Sequence, residues 1–185
     1  MTVLCRQQGS MLSDLASEIM NTYQRVFGAG PRGLLISIAL LALTSHLESV
    51  VGLPSISSSQ SLRWAIFILS AVGTVLLTLW SARSLPPAAR GKELVVTGAY
   101  RYLRHPIYAG LLSCLNFGLA VLFNNWIYVI WAVLLHGVWH WNIRSEEKLM
   151  RQEFPKEYEE YCKVTGRFIP RFWAPGDSKP SRPSR

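Results

Sequence analysis

The sequence predicts an all-α integral membrane protein with four to five transmembrane helices. Half of its residues are hydrophobic and only 16% are charged, whereas soluble domains usually carry about 25% charged residues. The charged residues are also separated along the chain from long apolar runs. An apolar helix of about 20 residues is long enough to cross a hydrocarbon core of roughly 30 Å. We therefore interpret residues 1–185 as a single membrane domain.

The first predicted element is an amphipathic helix over residues 11–27. Its apolar residues recur at three- and four-residue steps, and polar residues occupy the opposite face. Such a pattern is typical of a helix that lies along the membrane interface. The following Gly28-Ala-Gly-Pro-Arg32 stretch should end this helix. Whether the helix spans the bilayer stays open, and this is why the prediction is four to five spans.

Four apolar runs follow, and we predict them as the transmembrane helices. Their ranges are 33–53, 62–82, 108–123 and 126–141. Only Asn124 and Asn125 separate the last two runs, and so short a connection predicts an antiparallel helical hairpin. The polar segments are 83–107, a helical region at 142–173, and a tail at 174–185 whose composition is typical of disorder.

The distribution of basic residues predicts the orientation in the membrane. With four spans, the N-terminus, the 83–107 segment and the region after residue 141 share one side. Every Lys and Arg except Arg63 lies on that side. Since cytoplasmic loops are enriched in Lys and Arg, both termini should be cytoplasmic. The net charge of +8 is then accounted for by the flanks of the spans, and no nucleic-acid partner is expected.

No metal centre or disulfide framework is indicated. The three cysteines form no Cys-x-x-Cys pair. His136 and His140 are one helical turn apart, but the residues between them include no carboxylate, so we expect them to pack inside the hairpin. Glycine-rich nucleotide motifs are absent from the sequence as well, which excludes a soluble Rossmann-type fold.

The chemistry-bearing residues lie in two charged blocks, one at each end of the predicted hairpin. An antiparallel hairpin brings these blocks together, so that Arg104 and His105 should face Arg144, Glu146 and Glu147. Arg and His can bind a carboxylate, and Glu can bind an ammonium group or the donors of a ribose or an adenine. S-adenosylmethionine carries all of these groups, although composition alone does not establish it as the ligand.

Two motifs resemble the signature of the isoprenylcysteine carboxyl methyltransferase family of membrane proteins. The first is Gly98-x-Tyr-x-x-x-Arg-His-Pro-x-Tyr-x-Gly110. The second is Arg144-x-Glu-Glu147, followed by Phe154, Tyr158, Tyr161 and Arg167-Phe-Ile-Pro170. The resemblance covers roughly residues 92–170. The family often has Phe-Gly where this chain has Phe154-Pro155.

The resemblance implies transfer of a methyl group from S-adenosylmethionine to a lipophilic acceptor that enters from the bilayer, with the cofactor held at the cytoplasmic face. Arg144 and Arg104 are the implied catalytic residues. The implied cofactor-binding residues are Lys92, Glu93, Leu94, Val95, Tyr100, His105, Pro106, Ile107, Tyr108, Glu146 and Glu147. Which of the two glutamates contacts the cofactor stays open at this point, as do the oligomeric state and the acceptor. A carboxylate acceptor is mildly favoured, because it is ionised near neutral pH and needs no general base.

Two other functions remain as alternatives. The Arg-His-Pro region also partly resembles membrane sterol-type reductases that use a nicotinamide cofactor, but 185 residues with four clear spans are short for such an enzyme. The second alternative is a non-enzymatic membrane scaffold. In that protein the arginines would anchor helix ends to anionic lipid headgroups, and the tyrosines would form an interfacial belt.

Overall fold

A computed structural model describes residues 28–85 and 93–171 of the chain, and this part is all-helical with no strand. The predicted interfacial helix at 11–27, Lys92 and the tail at 174–185 lie outside these ranges. The helices are α1 (Gly30–Val51), α2 (Gln60–Ser84), α3 (Pro106–Phe123), α4 (Trp126–Asn142), α5 (Arg144–Glu153) and α6 (Pro155–Val164).

Three of these helices, α1, α2 and α3, are long and apolar enough to cross a membrane. Many of their large apolar side chains are exposed, among them Leu35 at 69% and Leu69 at 74%. Lipid tails are the environment in which such surfaces are stable, so the protein is an integral membrane protein. Helix α4 is also apolar, but its 17 residues extend only about 25 Å.

Helix α1 begins at Gly30, three residues before the predicted start of the first span. Pro31 favours this start, because a proline in the first turn lacks only an N–H that has no intrahelical acceptor. The helix ends where Gly52 adopts a φ of 61° and donates its N–H to the Glu48 carbonyl. Helix α2 begins at Gln60, where the Ser59 hydroxyl accepts from the Leu62 amide at 3.3 Å.

Helix α1 lies antiparallel to α4 and is held to it at both ends. At its start, Gly33 lies so close to the Trp139 ring that a Cβ there would come within 2.5 Å of it. The Trp139 indole N–H donates to Ser37 Oγ at 3.0 Å. At the other end, the Tyr128 hydroxyl donates to Glu48 Oε2 at 2.7 Å. Gly33 therefore allows α1 to approach the C-terminal end of α4 closely.

Helix α3 contains a π-helical stretch at Gly110–Leu115. Thr74 of α2 donates its hydroxyl to the Gly110 carbonyl at 3.0 Å. Helix α4 runs back alongside α3, where Ser113 Oγ lies 3.2 Å from His136 Nε2. These contacts hold α3 against two neighbouring helices, because Thr74 belongs to α2 and His136 belongs to α4.

The region after α4 is helical and is interrupted at Pro155. It forms two helices, α5 and α6, which meet at Phe154 and Pro155. After α6 the chain returns beside the start of α3, where the Arg104 amide donates to the Gly166 carbonyl at 2.8 Å. The Tyr161 hydroxyl also donates to the Tyr100 carbonyl at 2.5 Å. This return closes the end of the bundle at which the two charged blocks meet.

Candidate functional site

The two charged blocks meet in one group of ionisable side chains, which we call the charged cluster. Its members come from three places in the chain: the segment before α3, the first turn of α5, and the return after α6. They lie at the end of the bundle where α1 and α3 begin and α4 ends. The charged cluster consists of Arg104, His105, Glu146, Glu147 and Arg167.

Glu147 is the centre of the charged cluster and is 1% exposed. Its Oε1 accepts from Arg104 Nε at 3.2 Å and from Arg167 Nε at 2.9 Å, and its Oε2 accepts from Arg167 Nη2. Arg104 Nη1 continues the network by donating to the Thr165 carbonyl at 2.6 Å. Glu147 thus joins α5 to the segment before α3 and to the return after α6. Both of its carboxylate oxygens accept hydrogen bonds from these arginines.

The neighbouring cations set the pKa of Glu147. Burial alone would raise this pKa, because it disfavours the charged carboxylate. The approach of His105, the hydrogen bonds from Arg167, and the positive charges of Arg104 and Arg167 act in the opposite direction and outweigh burial. Together they hold the pKa of Glu147 well below its usual range. The carboxylate is therefore ionised throughout the physiological pH range.

This depressed pKa predicts acid sensitivity. The stabilisation from Glu147 is complete above the pKa of about 4.3 that an unfolded Glu has, and it is lost as pH falls from there towards the lower folded value. We expect the thermal unfolding temperature in detergent to fall below pH 4.3 more steeply for the wild type than for Glu147→Gln. Parallel pH profiles of the two proteins between pH 5 and pH 3 would contradict this origin of the acid sensitivity.

Glu146 has a different environment from Glu147. Its Oε1 accepts from the Tyr108 hydroxyl at 3.1 Å and from the Ala29 amide. Its Oε2 lies 3.6 Å from His105 Nδ1, and the side chain is 19% exposed. No arginine is paired with Glu146 among the residues that the structure describes. Glu146 therefore presents an oxygen that a ligand can reach, and Glu147 does not.

His105 lies between the two carboxylates. Its Nε2 is buried 3.6 Å from Glu147 Oε1 and has no hydrogen-bond partner within residues 28–85 and 93–171. The imidazole stacks on the Tyr108 ring at 6.0 Å, and Tyr108 in turn packs on Trp139 at 4.7 Å. Nδ1, and not the unpartnered Nε2, is therefore the imidazole nitrogen beside the accessible carboxylate, and the Tyr108 ring lies against both groups.

The structure brings five of the residues singled out in the sequence into or against the charged cluster: Arg104, His105, Tyr108, Glu146 and Glu147. Pro106 begins α3 directly after His105 and is buried, and Ile107 beside it is half-buried. Arg144 is the first residue of α5 and is exposed. Of the two residues predicted to be catalytic, Arg144 is more exposed than Arg104.

The segment before the first motif lies against α6. Leu94 is buried with Tyr158 and Tyr161. Glu93 is exposed, and Val95 is half-buried. Tyr100 contributes its carbonyl as the acceptor of the Tyr161 hydroxyl. This segment is therefore held by the tyrosines of α6, and Lys92 lies outside the described residues.

Two residues of this region, Arg167 and Asn142, were not among the predicted site residues. The sequence could have indicated Arg167, because this residue belongs to the Arg167-Phe-Ile-Pro170 motif. A second basic partner for two adjacent glutamates is also reasonable. Asn142 donates to the Ala29 carbonyl at 3.0 Å. Sequence periodicity gives no signal for that contact, because it joins positions far apart in the chain.

The two histidines of α4 lie on a polar seam beside α3. His136 Nε2 is 3.2 Å from Ser113 Oγ, and His140 Nδ1 donates to the His136 carbonyl at 2.9 Å. Phe168 packs edge-on against the His140 ring at 4.7 Å. Among the described residues, no three potential metal ligands from His, Cys, Asp and Glu are grouped together.

Comparison with known proteins identifies related sequences. The phospholipid methyltransferase family matches residues 50–157. Two curated relatives, one from Oryza sativa subsp. indica and one from Oryza sativa subsp. japonica, are each described as a probable protein-S-isoprenylcysteine O-methyltransferase. Each is 26% identical over 137 residues, which cover 70% of this chain and 72% of the relative.

The matched region contains most of the charged cluster. It includes the Arg-His-Pro motif, all of α3 and α4, and the two glutamates of α5, whereas Arg167 and most of α1 fall outside it. The resemblance to isoprenylcysteine carboxyl methyltransferases and the family match thus rest on the same part of the chain. The chain belongs to the phospholipid methyltransferase family of membrane methyltransferases.

Proposed function

We propose that this protein transfers a methyl group from S-adenosylmethionine to a lipophilic acceptor at the cytoplasmic face of its membrane. The observation that carries the proposal is the environment of Glu146. This carboxylate is partly exposed, accepts from the Tyr108 hydroxyl, and lies 3.6 Å from Nδ1 of His105. The family to which the chain belongs supports methyl transfer as the reaction.

The charged cluster fits the polar groups of S-adenosylmethionine. Glu146 Oε2 can accept from an ammonium or a ribose hydroxyl, and Nδ1 of His105 lies 3.6 Å from the same oxygen. The Tyr108 ring supplies an aromatic face for an adenine or for the positively charged sulfonium. When bound, S-adenosylmethionine supplies the methyl group as an electrophile. The protein residues bind it, orient it and exclude water.

Glu146, rather than Glu147, is the carboxylate that we assign to the donor. The oxygens of Glu147 are taken by Arg104 and Arg167, so a ligand would have to break a buried ion pair to reach them. Glu146 requires no such loss. We assign Glu147 instead to holding the return after α6 in place, so that His105 and Glu146 face each other.

The acceptor is proposed to be a carboxylate on a lipophilic group, as the description of the two rice relatives suggests. A carboxylate is already ionised near pH 7 and needs no base to attack a methyl group. Arg144, exposed at the start of α5, can attract such an anion. Arg104 is proposed for the same side of the site, although its Nε and Nη1 already bond to the protein.

The membrane topology is part of the proposal. We propose α4 as a fourth span, so that α3 and α4 form a transmembrane hairpin whose open end carries the charged cluster. Seventeen residues extend only about 25 Å, and interfacial anchoring of the ends or local thinning of the bilayer can accommodate this length. The positive-inside rule then places the charged cluster in the cytoplasm.

Calorimetric titration of S-adenosylhomocysteine into the purified protein, in detergent and in lipid nanodiscs, tests the proposal. We expect micromolar binding by the wild type. Glu146→Gln removes one charge-assisted hydrogen bond and should weaken binding by about tenfold or more. His105→Ala should also weaken binding. Glu159→Gln, which makes the same chemical change at an exposed position of α6, is the matched control and should bind as the wild type does.

Binding that survives both site variants would place the donor elsewhere. No binding by a folded wild type in either environment would reject the methyltransferase proposal. Titration of the same preparations with reduced nicotinamide dinucleotide distinguishes the reductase alternative. Binding of that ligand, with none of S-adenosylhomocysteine, would favour the reductase.

A further inference from the structure

The turn that precedes α1 lies directly against the charged cluster, although it is distant from it in sequence. Family similarity begins at residue 50, so the turn lies outside the matched region. It consists of Gly28 and Ala29, and the chain then enters α1 at Gly30. The turn is therefore a feature of this chain that the family match does not assign.

The peptide groups of the turn are held by two different elements. The Ala29 amide donates to Glu146 Oε1 in the first turn of α5. The Ala29 carbonyl accepts from Asn142 Nδ2, at the end of α4, at 3.0 Å. Ala29 and Asn142 are 5% and 4% exposed. The turn is thus fixed on both sides of one residue, and one of its two partners is the reachable glutamate.

Gly28 permits this contact for two reasons. Its φ is 60°, in the left-handed region that side chains rarely adopt. A Cβ at this position would overlap Glu146 Oε1 and come within 3.0 Å of the carboxyl carbon. Any larger residue at position 28 would therefore both strain the turn and displace the Glu146 carboxylate.

We propose that the Gly28–Ala29 turn is a positioning element of the methyl-donor site. The Ala29 amide and the Tyr108 hydroxyl hold Oε1 of Glu146, which leaves Oε2 directed towards His105 and available to the donor. Fixing a ligand-binding carboxylate before the ligand arrives removes part of the ordering cost of binding. This inference rests on the proposed function, since it concerns affinity for the same donor.

Gly28→Ala, with Gly52→Ala as its matched control, tests the inference. Gly52 has a φ of 61°, so the two substitutions carry the same backbone strain, but nothing lies within 4 Å of a Cβ at position 52. Titration of S-adenosylhomocysteine should show affinity reduced by roughly tenfold for Gly28→Ala. Gly52→Ala should keep wild-type affinity. Thermal unfolding is measured on both, to confirm that the proteins titrated are folded.

A Glu146→Ala background separates positioning from a general structural effect. If the turn acts through Glu146, then Gly28→Ala should weaken binding little further once this carboxylate is removed. Should Gly28→Ala fail to fold, Asn142→Ala takes its place, because it only releases the Ala29 carbonyl.

Wild-type affinity in Gly28→Ala would overturn the inference and leave the proposed function standing. An equal loss in Gly52→Ala, or a loss that is fully additive with Glu146→Ala, would overturn it in the same way. Failure of the wild type to bind S-adenosylhomocysteine would instead reject the proposed function, and this inference with it.

Discussion

Glu147→Gln should be the most destabilising single substitution in the charged cluster. The change removes the buried negative charge with which Arg104 and Arg167 both pair, and it places an amide donor opposite the Arg167 guanidinium. Breaking a buried ion pair by removing one partner costs about 3–5 kcal/mol. For a chain of this size we expect the unfolding temperature to fall by roughly 6–20 °C. Thermal unfolding in detergent, followed by tryptophan fluorescence, measures the change.

Glu146→Gln is the control for this prediction, because it makes the same substitution one position earlier. Glu146 is partly exposed and pairs with no arginine among the described residues, so its loss should lower donor affinity with little effect on the unfolding temperature. The two variants should therefore separate, with stability lost in one and binding lost in the other. A Glu147→Gln protein that unfolds at the wild-type temperature would show that the ion pairs of Glu147 with Arg104 and Arg167 contribute little to stability.

The helices of this protein were predictable from sequence because one physical requirement dominates them. A membrane helix must be apolar over its whole length, so the runs at 33–53 and 62–82 were visible without any periodicity. The observed helices, Gly30–Val51 and Gln60–Ser84, differ from these ranges by two or three residues at their ends. Caps decide such ends, and the Ser59 and Gly52 caps are local geometries that hydropathy does not describe.

The meeting of the two charged blocks was also predictable, because it needs only a short connection between two long helices. The separate roles of Glu146 and Glu147 were not. Adjacent residues on a helix differ in direction by about 100°, so one faces the arginines and the other faces Tyr108 and Ala29. Which is which depends on how α5 is rotated. That rotation is set by long-range contacts such as the one between Glu147 and Arg167.

The turn before α1 shows the same limit more clearly. The Gly28-Ala-Gly-Pro-Arg32 stretch was predicted to end a helix that lies outside the described residues; residues 28 and 29 form a turn, whereas Gly30 to Arg32 already belong to α1. The contact of this turn with Glu146 joins positions 117 residues apart in sequence. No pattern within one segment encodes a contact of that range.

Arg104→Lys should lower stability nearly as strongly as removal of Glu147, although it preserves the charge. Arg104 donates from two nitrogens to three acceptors: Glu147 Oε1 at 3.2 Å, the Thr165 carbonyl at 2.6 Å and the Cys162 carbonyl at 3.3 Å. A lysine ammonium is a single point at the end of a flexible chain and cannot reproduce this fork. Each buried acceptor left unsatisfied costs about 1–3 kcal/mol. We expect a loss of roughly 2–4 kcal/mol, measured by the same thermal unfolding.

Arg101→Lys is the matched control, since Arg101 lies exposed in the short 3₁₀ turn at Gly98–Arg101, three residues before Arg104. It should unfold at the wild-type temperature. The comparison decides between two roles for Arg104, because the sequence resemblance implies catalysis and the contacts imply that it fastens the end of α6. If Arg104→Lys is fully stable but no longer methylates the proposed lipophilic carboxylate acceptor, the guanidinium acts on the acceptor. If Arg104→Lys lowers the unfolding temperature and the donor affinity of the remaining folded protein is unchanged, Arg104 holds α6 and the return after α6 in place beside Glu147.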